Sequence, residues 1–139
     1  MRVQNLHLTE QAEAGDEWKL SAYEAEFYDA KQRVVVHRLQ AQLLSKETQP
    51  VYVRADSGQI DSSAGNMTIK GNVQLQYPGG YTVETDVLHW HAASRVLQTD
   101  AAVQIHSDLV HIVGVGLLGD IAQQRFVLQD DVHAVFQVR

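Results

Sequence analysis

From Trp18 onward the chain alternates apolar and polar residues with a period of two, and the alternation itself recurs about every 30 residues. The clearest run is residues 67–77: Met67, Ile69, Gly71, Val73, Leu75 and Tyr77 face one way, and Thr68, Lys70, Asn72, Gln74 and Gln76 the other. Such a pattern describes an antiparallel strand with one buried and one wet face. Leu97, Thr99, Ala101, Val103 and Ile105 repeat it, as do Phe126, Leu128, Val132, Ala134, Phe136 and Val138, with Asp130 interrupting the apolar set. Laying residues 55–75 over 85–105 takes a shift of 30 and no gap, so Asp56 meets Asp86, Ile60 meets Trp90 and Met67 meets Leu97. A further shift of 29 adds Phe126 and Val132 to the series, and a looser copy runs through residues 19–43. One hairpin cannot bury its apolar face alone, so the copies must share a core.

Polar or small-residue turns separate the runs, at residues 29–33, 62–66, 92–95 and 122–125, and Pro78-Gly79-Gly80 is the strongest turn signal. Residues 9–16 carry a potential Thr9 cap but almost no apolar face, and read as a loop or short turn. Regular short strands with turns between them predict an all-β sandwich, jelly roll or barrel. The jellyroll domain is expected over residues 18–139, preceded by an N-terminal segment, residues 1–17, that is partly extended or disordered.

Charge and composition narrow the function. Lys and Arg number 11 against 17 Asp and Glu, a net −6 with no basic cluster, which disfavours nucleic acid as a partner. There are no cysteines, hence no disulfide, thiol nucleophile or thiolate metal site. No G-x-S-x-G elbow occurs, and Val113-Gly114-Val115-Gly116-Leu117 lacks the third glycine and the lysine of a phosphate loop. His89 and His91 share a strand face, but zinc needs three or four ligands. Glu84 and Asp86 are expected on the opposite face, and His106, His111 and His133 are remote in sequence. No catalytic residue, metal site or cofactor is assigned. Asp56 and Asp86, at matching repeat positions, read as structural.

The ordered segments VRADSGQIDSSAGNMTIKGNVQLQ, YTVETDVLHWHAASRVLQTDAAVQI and VGVGLLGD resemble the LptC family of lipopolysaccharide-export proteins. They also resemble the wider OstA-like group that includes LptA and LptD. The pattern is Ala55-Asp56, a turn, Gly71-Asn72-Val73, then Thr85-Asp86 and Thr99-Asp100; the Trp18-Lys19-Leu20-Ser21-Ala22 entry, followed by Pro50, is closer to LptC than to LptA. The resemblance spans roughly residues 18–136.

It implies a twisted, open β-jellyroll that is not an enzyme and passes lipopolysaccharide from an inner-membrane ABC transporter to LptA. The expected location is the periplasm, anchored to the inner membrane by a helix upstream of Met1. The lipid-binding groove would be lined by Met67, Ile69, Val73, Leu75, Leu97, Val103, Ile105, Phe126, Leu128 and Phe136, all of which also serve as core. The C-terminal edge, with Val127, Val132, Val135 and Val138, would pair with LptA. The N-terminal edge, with Leu6 and Leu8, would meet the LptB/LptF/LptG transporter, and exposed edges also admit a homodimer. The alternative is an LptA-like scaffold that joins edge to edge without carrying lipid.

Overall fold

Alternating runs joined by short turns have their nearest pairing partners next in sequence, and antiparallel ladders between successive runs follow. A computed structural model describes residues 1–11, 17–44, 49–121, 123 and 125–137. Among these are nine strands: β1 (Arg2–Gln11), β2 (Glu17–Tyr28), β3 (Arg33–Leu44), β4 (Val51–Asp61), β5 (Met67–Tyr77), β6 (Tyr81–His91), β7 (Val96–His106), β8 (Val110–Asp120) and β9 (Arg125–Phe136). They form one antiparallel sheet in sequence order, β1 to β9. This is the all-β, open jellyroll architecture expected. β1 pairs with β2 from Arg2↔Glu26 to Gln11↔Glu17, so the sheet begins well before Trp18. Of the turn expected at residues 9–16, Thr9, Glu10 and Gln11 are strand and the rest lies outside the described residues.

Two apolar rows cross the inner face. Leu8, Leu20, Ala41, Val53, Leu75, Val83, Ile105, Ile112 and Ala134 are successive cross-strand partners over all nine strands. Toward the other end of the strands, Phe27, Val34, Ile60, Met67, Trp90, Leu97, Gly119 and Phe126 form a second row over eight. The repeat is this row structure. Ile60, Met67, Trp90, Leu97 and Phe126 hold matching sequence positions because they occupy one line across the sheet.

The sheet folds over on itself between the rows. Trp18, two residues from the first row, packs edge-on to Trp90 of the second at 5.2 Å, four strands away. Tyr77 meets Phe126 the same way at 4.4 Å, again four strands on. Such edge-to-face contacts are the favoured aromatic geometry. The fold line runs through mid-strand residues with positive φ: Asn5, Arg38, Gly71, Asn72, Gly116 and Asp131. Register shifts interrupt every ladder from β4–β5 to β8–β9 in the same zone. Bulges of this kind bend a strand and increase its twist.

A one-residue bulge also reverses which residues face inward. In β4 the buried set is Val51, Val53 and Ala55 before the bend, but Gly58 and Ile60 after it. In β6 it changes from Val83 and Thr85 to Leu88 and Trp90. Glu84 therefore shares the outer face with His89 and His91, which corrects the opposite-face expectation drawn from unbroken alternation.

The turn after β4 is held by Asp61, whose carboxylate accepts from the Ser63 hydroxyl at 2.6 Å, the Ser63 amide at 2.9 Å and the Ala64 amide at 3.3 Å. These bonds, the Ser63 hydroxyl foremost, hold its pKa below the usual carboxylate value. A depressed carboxyl stabilises the fold in full above the ordinary carboxylate range and loses that contribution as pH falls through its lowered value. Asp61→Ala is expected to lower the melting temperature at neutral pH. Scans at descending pH should show the gap to the parent closing only in acid; a gap independent of pH would refute the carboxylate's role.

Candidate functional site: the interior trough and its edges

The Ala-Asp, Gly-Asn-Val and Thr-Asp elements all lie on the fold line. Asn72 donates to Asp56 Oδ2 at 2.8 Å, tying β5 to β4 where both depart from regular register. Gly71 has φ +83 with Asp56 directly over it, and a Cβ there would stand 2.7 Å from Asp56 Oδ2. Only glycine combines that conformation with that closeness. Thr85 and Thr99 are the only buried polar residues among those described. Thr85 donates to the Ala102 carbonyl at 2.9 Å, and Thr99 accepts from the Ala101 amide at 3.1 Å. The hydroxyls bond backbone groups where the ladder is broken, as interior polar groups require. Asp100 Oδ1 accepts from the Gln98 side-chain Nε2 at 2.8 Å on the exposed side.

The interior between the folded halves is apolar and tightly packed around Trp18 and Trp90. Its gap is lined by Trp18, Leu39, Ala41, Val53, Met67, Ile69, Leu88, Trp90 and Leu97 and measures about 10 Å³, room for at most about one water. Two larger hollows, of about 680 and 430 Å³, lie on the outer face and share Gln40, Arg54 and Gln74. Arg54 donates to Gln74 there at 3.1 Å. A third, of about 510 Å³, opens between Leu8 of β1 and Phe27, Val34 and Ile60 of the second row. The molecule thus has a polar exterior trough and an apolar interior that is tightly packed around Trp18 and Trp90 and open between β1 and the second row.

Of the expected groove residues, Ile69, Val73, Leu75, Leu97 and Val103 are buried in the core, and Met67, Ile105, Phe126 and Leu128 are partly buried against it. Phe136 does not join them. It is 71% exposed, and Val135 beside it 64%. β9 is the last strand and is paired on one side only, with β8. From Gln129 to Phe136 every residue of β9 is exposed. Leu39 and Leu88 complete the interior beside Trp90; a continuous period of two does not reach them, because the inward parity changes at mid-strand in β3 and β6.

Both outer strands have an open side. Leu6 and Leu8 of β1 pack partly against the core, leaving the backbone of β1 as the free element. On β9, the Gln137 amide bonds the Leu109 carbonyl at 2.9 Å, so by antiparallel alternation the amides of Val132, Ala134 and Phe136 face the open edge. Val127 and Val132 are 41% and 49% exposed on this strand. Val138 lies outside the described residues.

The histidines are engaged pairwise rather than gathered. His89 Nδ1 lies 3.0 Å from Thr68 Oγ1, and His106 Nε2 lies 2.9 Å from Glu84 Oε1. No group of three or more His, Cys, Asp or Glu suited to a metal occurs among the described residues. No helix among them is long and apolar enough to cross a membrane.

Comparison with protein families matches residues 1–137 to the one described as lipopolysaccharide-assembly, LptC-related. Comparison with curated proteins gives no match.

Proposed function

Because this chain belongs to the LptC-related lipopolysaccharide-assembly family, we propose that its interior carries the acyl chains of lipopolysaccharide between two strand-pairing edges, without catalysis. Lipopolysaccharide enters from the LptB/LptF/LptG transporter at the β1 edge and leaves to LptA at the β9 edge, in the periplasm. The reading rests above all on the unbroken apolar row from Leu8 to Ala134, which runs from one edge strand to the other. A conduit needs such continuity, and an active site does not.

Beyond the hollow beside β1, the packed gap at Trp18 and Trp90 means that cargo must part the two halves there. Each buried methylene contributes about 0.8 kcal/mol, so a chain of about ten gains roughly 8 kcal/mol. Separating an aromatic edge contact costs only about 0.5–1.5 kcal/mol beyond its area. An acyl chain that refills the space can therefore offset the opening. Phosphorylated headgroups, repelled by a net −6 chain, remain outside.

Photo-crosslinkers at Met67, Ile105 and Phe126, which are only partly buried, should capture lipopolysaccharide well above controls at Gln40 and Gln74. Equal capture at all five positions would remove the conduit reading. Ala134→Pro deletes one edge amide without touching the β8 ladder, and should abolish pairing with LptA while leaving the melting temperature nearly unchanged. The small interior gap favours one competing reading, a scaffold that joins edge to edge without cargo. That reading predicts the same Ala134→Pro defect with no interior capture.

A further inference from the structure

Buried donors almost always have acceptors, and Trp18 departs from this. Its indole Nε1 is buried without a hydrogen-bond partner among the described residues. The ring belongs to the lining of the apolar gap and packs edge-on to Trp90, so the ring that carries the donor borders the space that cargo would occupy. The rest of that lining is alkyl, thioether and indole, with no carbonyl or hydroxyl side chain to receive it. A lone donor in such surroundings has no stabilising role in the closed state. It costs stability there, because a desolvated N–H has lost its water and gained nothing. The cost is recovered only when an acceptor enters.

We infer that Trp18 is a specificity residue of the interior, donating its indole N–H to the carbonyl of an ester- or amide-linked acyl group and so distinguishing acyl ligands from plain hydrocarbon or ether-linked chains. The inference rests on the conduit reading and adds to it. Apolar lining selects for chain, whereas a single fixed donor selects for the atom at which the chain is joined to its headgroup. The arrangement is the one common to small-ligand sites, an apolar wall with few polar groups that set orientation. A hydrogen bond of ordinary net strength gives a preference of about three- to ten-fold.

The chain contains two tryptophans, so the indole N–H region of a nitrogen–proton correlation spectrum holds two signals, assignable with Trp90→Phe. The probes are a diacyl phosphatidylcholine and its dialkyl ether analogue with the same chains and headgroup. The diacyl lipid is expected to move the Trp18 N–H signal downfield and to bind about three- to ten-fold more tightly than the ether. Trp18→Phe should bind both lipids as weakly as the parent binds the ether. If both lipids bind but the parent shows no preference and the Trp18 signal moves equally with each, the inference is wrong and the conduit stands. If neither lipid binds or shifts either indole signal, and lipopolysaccharide does no better, the conduit itself fails. Should Trp18→Phe not fold, the signal shifts in the parent protein decide the matter alone.

Discussion

Gly71→Val is expected to lower the melting temperature by roughly 10 °C. A β-branched residue held at φ +83 costs about 1–3 kcal/mol in backbone strain, and its Cβ would stand 2.7 Å from Asp56 Oδ2 and 2.9 Å from Asp56 Cβ. Asp56 cannot swing away without giving up its bond from Asn72. The combined penalty of about 2–4 kcal/mol translates to that shift for a domain of this size. Thermal unfolding followed by circular dichroism checks it. Asp56→Ala removes the carboxylate contacts and the bond but keeps the Cβ contact at 2.9 Å, so in its background Gly71→Val should cost about 1 kcal/mol less and not nothing. Equal costs in both backgrounds would mean that the fold line does not depend on this pair.

Leu39→Ala should destabilise the fold by about 3–4 kcal/mol, since Leu39 is fully buried and borders the interior gap. The lost volume would join the existing space rather than close, the condition under which such substitutions cost most. Gly58 provides the converse. A Cβ on it would lie 2.6 Å from Leu39 Cδ2 and 3.1 Å from Ile69 Cγ2, so Gly58→Ala alone overpacks the interior by about 1–3 kcal/mol. In the double variant the new methyl occupies space that the leucine vacated. Chemical denaturation of the four proteins should give a double-variant loss at least about 1 kcal/mol below the sum of the singles. Strict additivity would show that the two residues do not meet.

From Trp18 onward the period of two identified antiparallel strands and most of the core, because within half a strand nothing disturbs it; β1, which precedes Trp18, it did not reach. The fold line was less visible. Gly71, Asn72 and Gly116 announce residues that tolerate positive φ, whereas Arg38 at φ 54 carries no such signal. Asp56 and Asp86 were read as structural from their repeat positions; Asp56 does hold a bulge, and Asp86 sits at the matching register shift in β6. Unbroken alternation placed Glu84 on the wrong side, since the bulge that reverses parity leaves no mark in hydrophobicity. Phe136 was misread for another reason. Its pattern is that of a buried face, but alternation shows only that a strand has two faces, not which stretch of it is covered. The unpartnered Trp18 N–H was invisible in sequence, where a tryptophan at the start of the domain reads as a plug.

The unbroken rows make sequence length a measure of distance. Adjacent strands lie ~4.8 Å apart, so each two-strand unit of about 30 residues advances the inner face by ~10 Å, and nine strands span ~38 Å from edge to edge. Because every strand carries its own bend, removing or adding a whole unit changes the span by that step and leaves both faces intact. Loss of one residue within a half-strand instead turns a face inside out. A lineage of such chains can therefore adjust its reach across a gap only in steps of ~10 Å, with the hairpin as its gauge.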